Sequence, residues 1–229
     1  MQQQGLLDGL AKAGRGNTFF FILDSQQMVL RHYRRGGFAR FFSYARFVYT
    51  GLSRTRAMRE FDLLEQLEHL SLPVSVVYAC CVERHGLFYT ASLVTHRLQG
   101  ATLAQRVLSN GKLAQTDEAS NLVWQSIGRT LARFHAHGVY HADLNAHNIM
   151  IDEEGRVSLI DFDRGKIRKL PNLPTQSGWC VQNLSRLLRS LQKVQVLNKH
   201  TIEANTALEL GFATCRKSWE DALRLTLTV

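Results

Sequence analysis

Proline, cysteine and long apolar runs are all scarce in this sequence. Its 229 residues include 3 prolines and 4 cysteines, and no apolar run approaches the roughly 18 residues that a membrane-spanning helix needs. The cysteines have no C-x-x-C spacing, which favours a reduced, cytoplasmic protein without a disulfide framework. The chain starts Met1-Gln-Gln-Gln4 and lacks a positive segment followed by an apolar run, so we expect no signal peptide.

Acidic side chains are also few compared with basic ones. There are 28 lysines and arginines against 19 aspartates and glutamates, a net charge of +9 at pH 7 that favours an anionic partner. The stretch from Val29 to Glu60 is the most basic, because it contains no acid before Glu60. Its arginines alternate with aromatic side chains: Phe38, Arg40, Phe41, Phe42, Tyr44, Arg46, Phe47 and Tyr49. The pattern fits nucleic acid, a phosphorylated ligand or an anionic membrane surface, and equally a solvated basic face.

Hydrophobic periodicity divides the chain into a strand-rich first part and a helix-rich second part. It predicts hairpins within residues 17–33 and 74–94, with a helix over 54–70 between them. Further elements are predicted downstream: a helix over 116–137, strands at 148–151 and 157–160, and helices over 179–191 and beyond 201. We therefore predict an α+β protein with a small β-rich lobe carrying one helix, residues 1–96, and a mainly helical lobe, residues 97–229.

The most specific motif reads His141-Ala-Asp-Leu-Asn-Ala-His-Asn148, and Leu159-Ile-Asp-Phe-Asp163 follows it across the predicted strand pair. The spacing H-x-D-L-x-x-x-N, then a β-turn-β and D-F, resembles the catalytic and metal-binding loops of protein kinases. Either aspartate alone would more simply be a turn residue. Both together, with the asparagine at the matching offset, favour a protein-kinase-like fold and phosphoryl transfer.

Phosphoryl transfer gives each of these residues a role, because catalysis there is mostly positioning and charge neutralisation. Asp143 is predicted to orient the acceptor hydroxyl and take its proton. Asp161 is predicted to hold Mg²⁺, with the amide oxygen of Asn148 completing the metal's oxygen ligands. We expect His141 to brace the loop from within and Asn145 to support it. The required cofactors are then ATP and Mg²⁺.

The histidines allow one further interpretation, a zinc site. Their spacings match no standard zinc template, and no cysteine lies near them in the sequence. The candidates for that site would be His135, His137, His141 and His147.

A glycine-rich, phosphate-binding loop is the next feature that the kinase resemblance implies. It should precede the first strand pair, where Gly14 and Gly16 lie. Glycine lets the backbone approach a phosphate closely. The usual third glycine is replaced by Phe19, so this signal is weak by itself.

The resemblance also implies a phosphate-contacting lysine on a strand, paired with a glutamate on a helix. Arg31 occupies the lysine's place here and Glu60 is the predicted partner. An arginine supplies charge and donors as a planar fork instead of a point charge. A small shift in register would place His32 or Arg34 there instead.

Several departures argue against a kinase that phosphorylates proteins. Ala142 follows His141 where many regulated kinases have an arginine, and Asp163 replaces the glycine after Asp161-Phe162. Residues 164–178 are a short connection to the next predicted helix and contain no Ala-Pro-Glu. The activation segment is therefore predicted to be missing, as it commonly is in small-molecule and sugar kinases.

At a finer level the chain resembles the lipopolysaccharide-core sugar kinases, and specifically those for 3-deoxy-D-manno-octulosonic acid (Kdo). The segments that carry this resemblance are residues 30–37, 50–56, 138–148 and 159–165. It implies transfer of the ATP γ-phosphate to the 4-hydroxyl of a Kdo sugar linked to a lipid A precursor. The location it implies is peripheral, at the cytoplasmic face of the bacterial inner membrane.

Such an acceptor is an anionic glycolipid, which would explain the basic stretch. Guanidinium groups suit phosphate and carboxylate, and aromatic side chains suit an interface. We expect acceptor or membrane contacts from Arg34, Arg35, Arg40 and Arg46, and we expect no nucleic acid and no obligate protein partner.

Three alternatives to a Kdo kinase stay open. One is a kinase for heptose, another sugar of the lipopolysaccharide core. Another is a kinase for a soluble small molecule such as an aminoglycoside, although a net charge of +9 is unfavourable for a cationic acceptor. The third is an inactive nucleotide-binding scaffold, which the joint presence of Asp143, Asn148 and Asp161 disfavours.

Overall fold

The computed structural model describes residues 18–33, 47–108, 113, 117–197 and 202–228, with only the backbone of 11–12, 195–197 and 202–203. These residues form two compact units. The first contains the described residues up to Leu70 and from Ser75 to Leu98, and the second contains Ser71–Val74 and the described residues from Gln99 onward. No helix among the residues described has both the length and the apolar composition to span a bilayer.

The first unit is an antiparallel sheet with one α-helix. The strands of the sheet are β1 (Ala11–Lys12), β2 (Thr18–Leu23), β3 (Gln26–His32), β4 (Phe47–Val48), β5 (Val77–His85) and β6 (Phe88–His96). They are ordered β1-β2-β3-β6-β4, and β5 pairs with β6. The helix, α1 (Arg56–His69), begins where Thr55 accepts a hydrogen bond from the backbone N–H of Met58.

The turn between β2 and β3 is tighter than the sequence predicts. Asp24 and Ser25 have φ values of 48° and 64°, which is the type I′ geometry that matches the twist of paired strands. As a result β3 begins at Gln26, two residues before the predicted start. Asp can adopt this conformation without glycine, so the sequence signal for the turn is weak.

The second unit contains four α-helices and short strands. The helices are α2 (Leu103–Leu108), α3 (Glu118–Ala136), α4 (Trp179–Leu197) and α5 (Ile202–Leu227). The strands are β7 (Ala101–Thr102), β8 (Val139–Tyr140), β9 (Ile149–Ile151), β10 (Val157–Leu159) and β11 (Lys166–Ile167). Strands β10, β9 and β7 form one antiparallel sheet, and β11 pairs with β8.

Helices α3 and α5 pack closely because glycines lie at their crossing. A Cβ atom on Gly128 of α3 would collide with the backbone of Cys215 on α5, and one on Gly211 would collide with the ring of Trp124. Only glycine allows so close an approach of the two backbones. Trp124 is therefore buried against α5, with 1% of its surface exposed.

Helix α2 and several two-residue strands, β7 among them, are elements that the sequence pattern does not predict. Helix α2 is too short to show a clear 3.6-residue period. It is fixed by tertiary contacts instead, since the N–H of Ala104 donates to the carbonyl oxygen of Ala146 at 2.9 Å. This bond attaches α2 to the predicted catalytic loop.

A buried histidine joins α3 to α5 and α4. Trp219 Nε1 donates to His135 Nδ1 at 2.9 Å, and the ring of Trp179 meets the imidazole edge-on, with centroids 5.2 Å apart. Burial lowers the pKa of His135 from 6.5 to about 4. His135 is therefore neutral at pH 7, and its Nδ1 is an acceptor.

This histidine predicts a loss of stability in acid. The unfolded state takes up the proton near pH 6.5, but the folded state only near pH 4, so between these values the unfolded state binds more protons. The contribution of His135 to folding is complete above pH 6.5 and is lost as the pH falls towards 4. Urea unfolding at a series of pH values measures this loss.

His135→Asn should reduce the slope of stability against pH, because an amide does not titrate in this range. The control is His137→Asn, which changes an exposed histidine of the same segment. Equal slopes for wild type and His135→Asn would contradict the assignment.

Candidate active site

His141 connects the two motifs that the sequence predicts to be catalytic. The N–H of Asp143 donates to His141 Nδ1 at 3.2 Å, so the ring proton lies on Nε2, which donates to the carbonyl oxygen of Ile160 at 3.0 Å. The residue is 2% exposed, and burial lowers its pKa. A neutral imidazole thus holds the backbone of Asp143 close to the residue that precedes Asp161.

Asparagine side chains hold the loop that carries Asp143. Asn148 Nδ2 donates to the carbonyl oxygen of Asp143 at 2.9 Å. Asn145 Nδ2 donates to the same oxygen and to Asp143 Oδ2, each at 3.1 Å. The side chain of Asp143 remains 63% exposed, so its carboxylate is oriented by the protein and accessible to an incoming hydroxyl.

Asp161 is brought back to this loop by the hairpin of β9 and β10, in which Leu159 lies opposite Ile149. The backbone of Asp161 is in the left-handed region, with φ at 65°. Aspartate tolerates this region better than most residues, and residues held there cluster at functional sites. The next residue, Phe162, is fully buried; its ring stacks on Phe134 with centroids 5.8 Å apart.

The oxygen groups of Asn148 and Asp161 fit the chemistry of Mg²⁺. The N–H of Ile160 donates to the carbonyl oxygen of Asn148 at 3.1 Å. Since Ile160 directly precedes Asp161, this backbone hydrogen bond holds the two candidate ligands near each other. Asn148 uses its amide nitrogen on Asp143, and that bond leaves the amide oxygen for another partner. Mg²⁺ prefers a few such protein oxygens together with phosphate and water oxygens.

Three of the four histidine side chains considered for a zinc site form protein hydrogen bonds, among them His137, whose Nδ1 donates to the carbonyl oxygen of Arg133 at 2.8 Å. His135 accepts from Trp219, and His141 bonds both Asp143 and Ile160. Across the part of the chain that the structure describes, no group of three or more His, Cys, Asp or Glu side chains could hold a metal ion.

Helix α4 contributes three polar residues that the sequence analysis missed. Asn183 Nδ2 donates to the carbonyl oxygen of His141 at 2.9 Å, and the N–H of Ala146 donates to Ser190 Oγ at 3.1 Å. Between them Arg186 approaches Asp143. The signal was present, because these positions recur at helical spacing among buried leucines, but nothing in the sequence shows which partner they face.

In the first unit, the structure pairs the two residues predicted to contact phosphate. Arg31 on β3 forms an ion pair with Glu60 on α1. Glu60 is 2% exposed, and its other oxygen accepts from the hydroxyl of Tyr33 at 2.6 Å. Arg31 is 24% exposed, so a buried carboxylate holds a guanidinium that reaches solvent.

The remaining predicted site residues lie outside the described residues. These are Gly14, Gly16, Arg34, Arg35, Arg40 and Arg46. The predictions for the glycine-rich loop and for the acceptor or membrane contacts therefore stay predictions.

A comparison with known protein families identifies the family to which a chain with this site belongs. Residues 7–207 match the lipopolysaccharide kinase (Kdo/WaaP) family. This chain belongs to that family. Membership of the Kdo/WaaP family makes it a phosphotransferase.

Curated relatives support this membership over most of the chain. Each is named 3-deoxy-D-manno-octulosonic acid kinase. The one from Xylella fastidiosa (strain M23) is 41% identical over 187 residues, which cover 81% of this chain and 70% of the relative. The one from Stenotrophomonas maltophilia (strain R551-3) is 42% identical over the same length and the same shares. For Xanthomonas campestris pv. campestris (strain B100) the identity is 41%, with shares of 80% and 69%.

A solved structure of WaaP in complex with acyl carrier protein shares the fold of this Kdo/WaaP family member. Its TM-score is 0.54 at 16% sequence identity, and the match covers 96% of this chain and 83% of that chain. At a sequence identity this low, the structural similarity shows a shared fold and nothing about function. Together with an antiparallel sheet in the N-terminal part and helices in the C-terminal part, it confirms the predicted protein-kinase-like α+β fold.

The site geometry predicts a specific effect of Asp143→Asn. The amide keeps the size and most hydrogen bonds of the carboxylate but cannot take a proton. We expect kcat to fall by ~10²–10⁴, the usual effect of losing a general base, while nucleotide affinity changes little. Asp221→Asn, which changes an exposed carboxylate on α5, is the control. Steady-state kinetics of phosphoryl transfer measure the effect, and an unchanged kcat would rule out the role of Asp143.

Proposed function

We propose that this chain transfers the γ-phosphoryl group of ATP to the 4-hydroxyl of a Kdo sugar on a lipid A precursor. The observation that carries this proposal is its identity of 41% and 42% with relatives named 3-deoxy-D-manno-octulosonic acid kinase, over most of its length. The joined Asp143 and Asp161 motifs supply the carboxylates that phosphoryl transfer needs. The net charge of +9 suits an acidic acceptor.

Asp143 is the proposed catalytic carboxylate. It accepts a hydrogen bond from the acceptor hydroxyl, aligns the oxygen for attack and takes its proton as the bond to phosphorus forms. ADP leaves with the oxygen that bridged it to the γ-phosphoryl group. The bonds from Asn145 and Asn148 hold Asp143 ready for this step, since positioning makes a large contribution to phosphoryl transfer.

Asp161 and Asn148 are the proposed ligands of Mg²⁺. When bound, this ion neutralises charge on the phosphate groups. The protein orients the carboxylate of Asp161 through the two residues beside it. Phe162 is buried, and the carbonyl oxygen of Ile160 accepts a hydrogen bond from His141.

Arg31 is the proposed phosphate contact in the first unit, with Glu60 as the residue that positions it. The buried carboxylate of Glu60 restricts the guanidinium to one orientation. Pre-organisation of this kind reduces the entropy lost when a phosphate binds. We further propose that residues 1–96 are the nucleotide-binding lobe, with Gly14 and Gly16 in its phosphate loop, and that residues 97–229 are the catalytic lobe.

The proposed acceptor is a glycolipid, so the enzyme works at the cytoplasmic face of the inner membrane as a peripheral protein. Arg34, Arg35, Arg40 and Arg46 are the proposed contacts with its phosphates or with anionic lipids. Each basic residue near such a surface adds about 1 kcal/mol of attraction.

Asp161→Ala tests the metal site through binding alone. Without this carboxylate, Mg²⁺ should no longer strengthen nucleotide binding, whereas the wild type should bind a fluorescent ATP analogue more tightly with Mg²⁺ than with EDTA. Fluorescence titration of both proteins under both conditions measures this difference. The same gain from Mg²⁺ in the variant would remove Asp161 from the metal site.

An acceptor assay tests the function itself. Radiolabelled ATP is supplied with Kdo-linked lipid A precursor, heptosylated core or kanamycin, and the product is analysed by phosphorus–proton NMR. We expect label in the precursor, with phosphate on the oxygen at C4 of Kdo. Phosphate on heptose would support the heptose-kinase alternative, and label in kanamycin alone would overturn the assignment.

A further inference from the structure

One face of α4 lies along the catalytic loop. Asn183 bonds both backbone groups of His141, donating to its carbonyl oxygen at 2.9 Å and accepting from its N–H at 3.4 Å. Ser190 accepts from the N–H of Ala146 at 3.1 Å. Arg186 lies one turn from each of them, on the same face of the helix. The loop and α4 are therefore attached at two points, with Arg186 between these points.

The side chain of Arg186 lies near the proposed catalytic carboxylate of Asp143 but does not form a close hydrogen bond with it. Its Nη1 lies 3.6 Å from Asp143 Oδ1, which is too long for a good hydrogen bond. The Arg186 side chain is 43% exposed, and that of Asp143 is 63% exposed. A guanidinium carries five N–H donors in a planar fork. Its donors thus remain accessible beside the place where the acceptor hydroxyl must bind.

An acidic acceptor needs a cation at this place. Its carboxylate would approach both Asp143 and the phosphates of ATP, and like charges so close together repel one another, more strongly near a protein surface than in bulk water. The loop from His141 to Asn148 contains no lysine or arginine. Arg186 supplies from α4 the positive charge that the loop lacks.

We propose that Arg186 binds the carboxylate of the acceptor sugar and so makes this kinase select acidic sugars. This inference rests on the proposed function. In Kdo the carboxyl group is attached to C2 and the reacting hydroxyl to C4, with one methylene carbon between them. A carboxylate held by Arg186 therefore presents the hydroxyl to the neighbouring Asp143. Arginine is suited to this task, since its fork matches a carboxylate with two parallel hydrogen bonds.

A second role for the same charge is neutralisation of the transferring phosphoryl group. The two roles differ in what they depend on. Binding of the acceptor depends on the acceptor's carboxylate, whereas neutralisation of the phosphoryl group does not.

The test is a double-mutant-type cycle in which one change is made in the enzyme and the other in the acceptor. The acceptors are Kdo-linked lipid A precursor and the same molecule with the Kdo carboxylate reduced to a hydroxymethyl group. The enzymes are wild type, Arg186→Gln, Arg186→Lys, and the control Arg189→Gln, which removes an exposed arginine of the same helix. The rate constants kcat and KM are measured for each pair, and thermal melting checks that each variant is folded.

We expect Arg186→Gln to lower kcat/KM for the acidic acceptor about 10- to 100-fold, the usual effect of losing a hydrogen bond to a charged group. With the reduced acceptor the same substitution should change kcat/KM by less than about 3-fold. Arg186→Lys should recover part of the loss with the acidic acceptor, because it restores the charge but not the fork. Arg189→Gln should behave as wild type.

An equal loss with both acceptors would overturn the inference and assign Arg186 to the phosphoryl group or to Asp143. No loss with either acceptor would also overturn it. In both cases the proposed function would stand, because wild type would still phosphorylate the acidic acceptor. Wild type that phosphorylates neither molecule would instead reject the proposed function.

Discussion

The site depends on one imidazole that must stay neutral and buried. His141 accepts from the N–H of Asp143 and donates to the carbonyl oxygen of Ile160. Protonation would remove the acceptor, and a move to the surface would release the backbone of Ile160 from the loop. Burial prevents both changes, because it disfavours the charged form of the ring. The fully buried ring of Phe162 packs against His141, with centroids 4.7 Å apart, and contributes to this burial.

The surrounding helices extend the same constraint outward. Asn183 bonds the backbone of His141, and its side chain lies close enough to His135 to act on the pKa of that imidazole, which accepts from Trp219 on α5. Helices α3, α4 and α5 thus meet at a chain of neutral polar groups inside an apolar core. A partly satisfied network of this kind is costly and a complete one is rigid. The rigidity serves a loop whose proposed catalytic carboxylate, Asp143, must be both exposed and oriented.

The features of this structure that the sequence alone predicts are those encoded by residues close together in the chain. The motif around Asp143 and Asp161 has fixed spacing, and the amphipathic pattern of α3 is long, so the protein-kinase-like fold and the candidate site could be predicted. Arg186 and Asn183 could not, because their partners lie about forty positions earlier and only the folded chain shows which face of α4 meets the loop. The start of β3 was missed because Asp24 adopts a conformation more typical of glycine.

The pair of Arg31 and Glu60 has a consequence for chemical labelling. Strand β3, Gln26–His32, contains no lysine, so a reagent that modifies primary amines finds no side-chain target on this strand. The guanidinium stays protonated throughout the accessible pH range. Its ion pair with the buried Glu60 is therefore insensitive both to alkaline conditions and to reagents that modify primary amines.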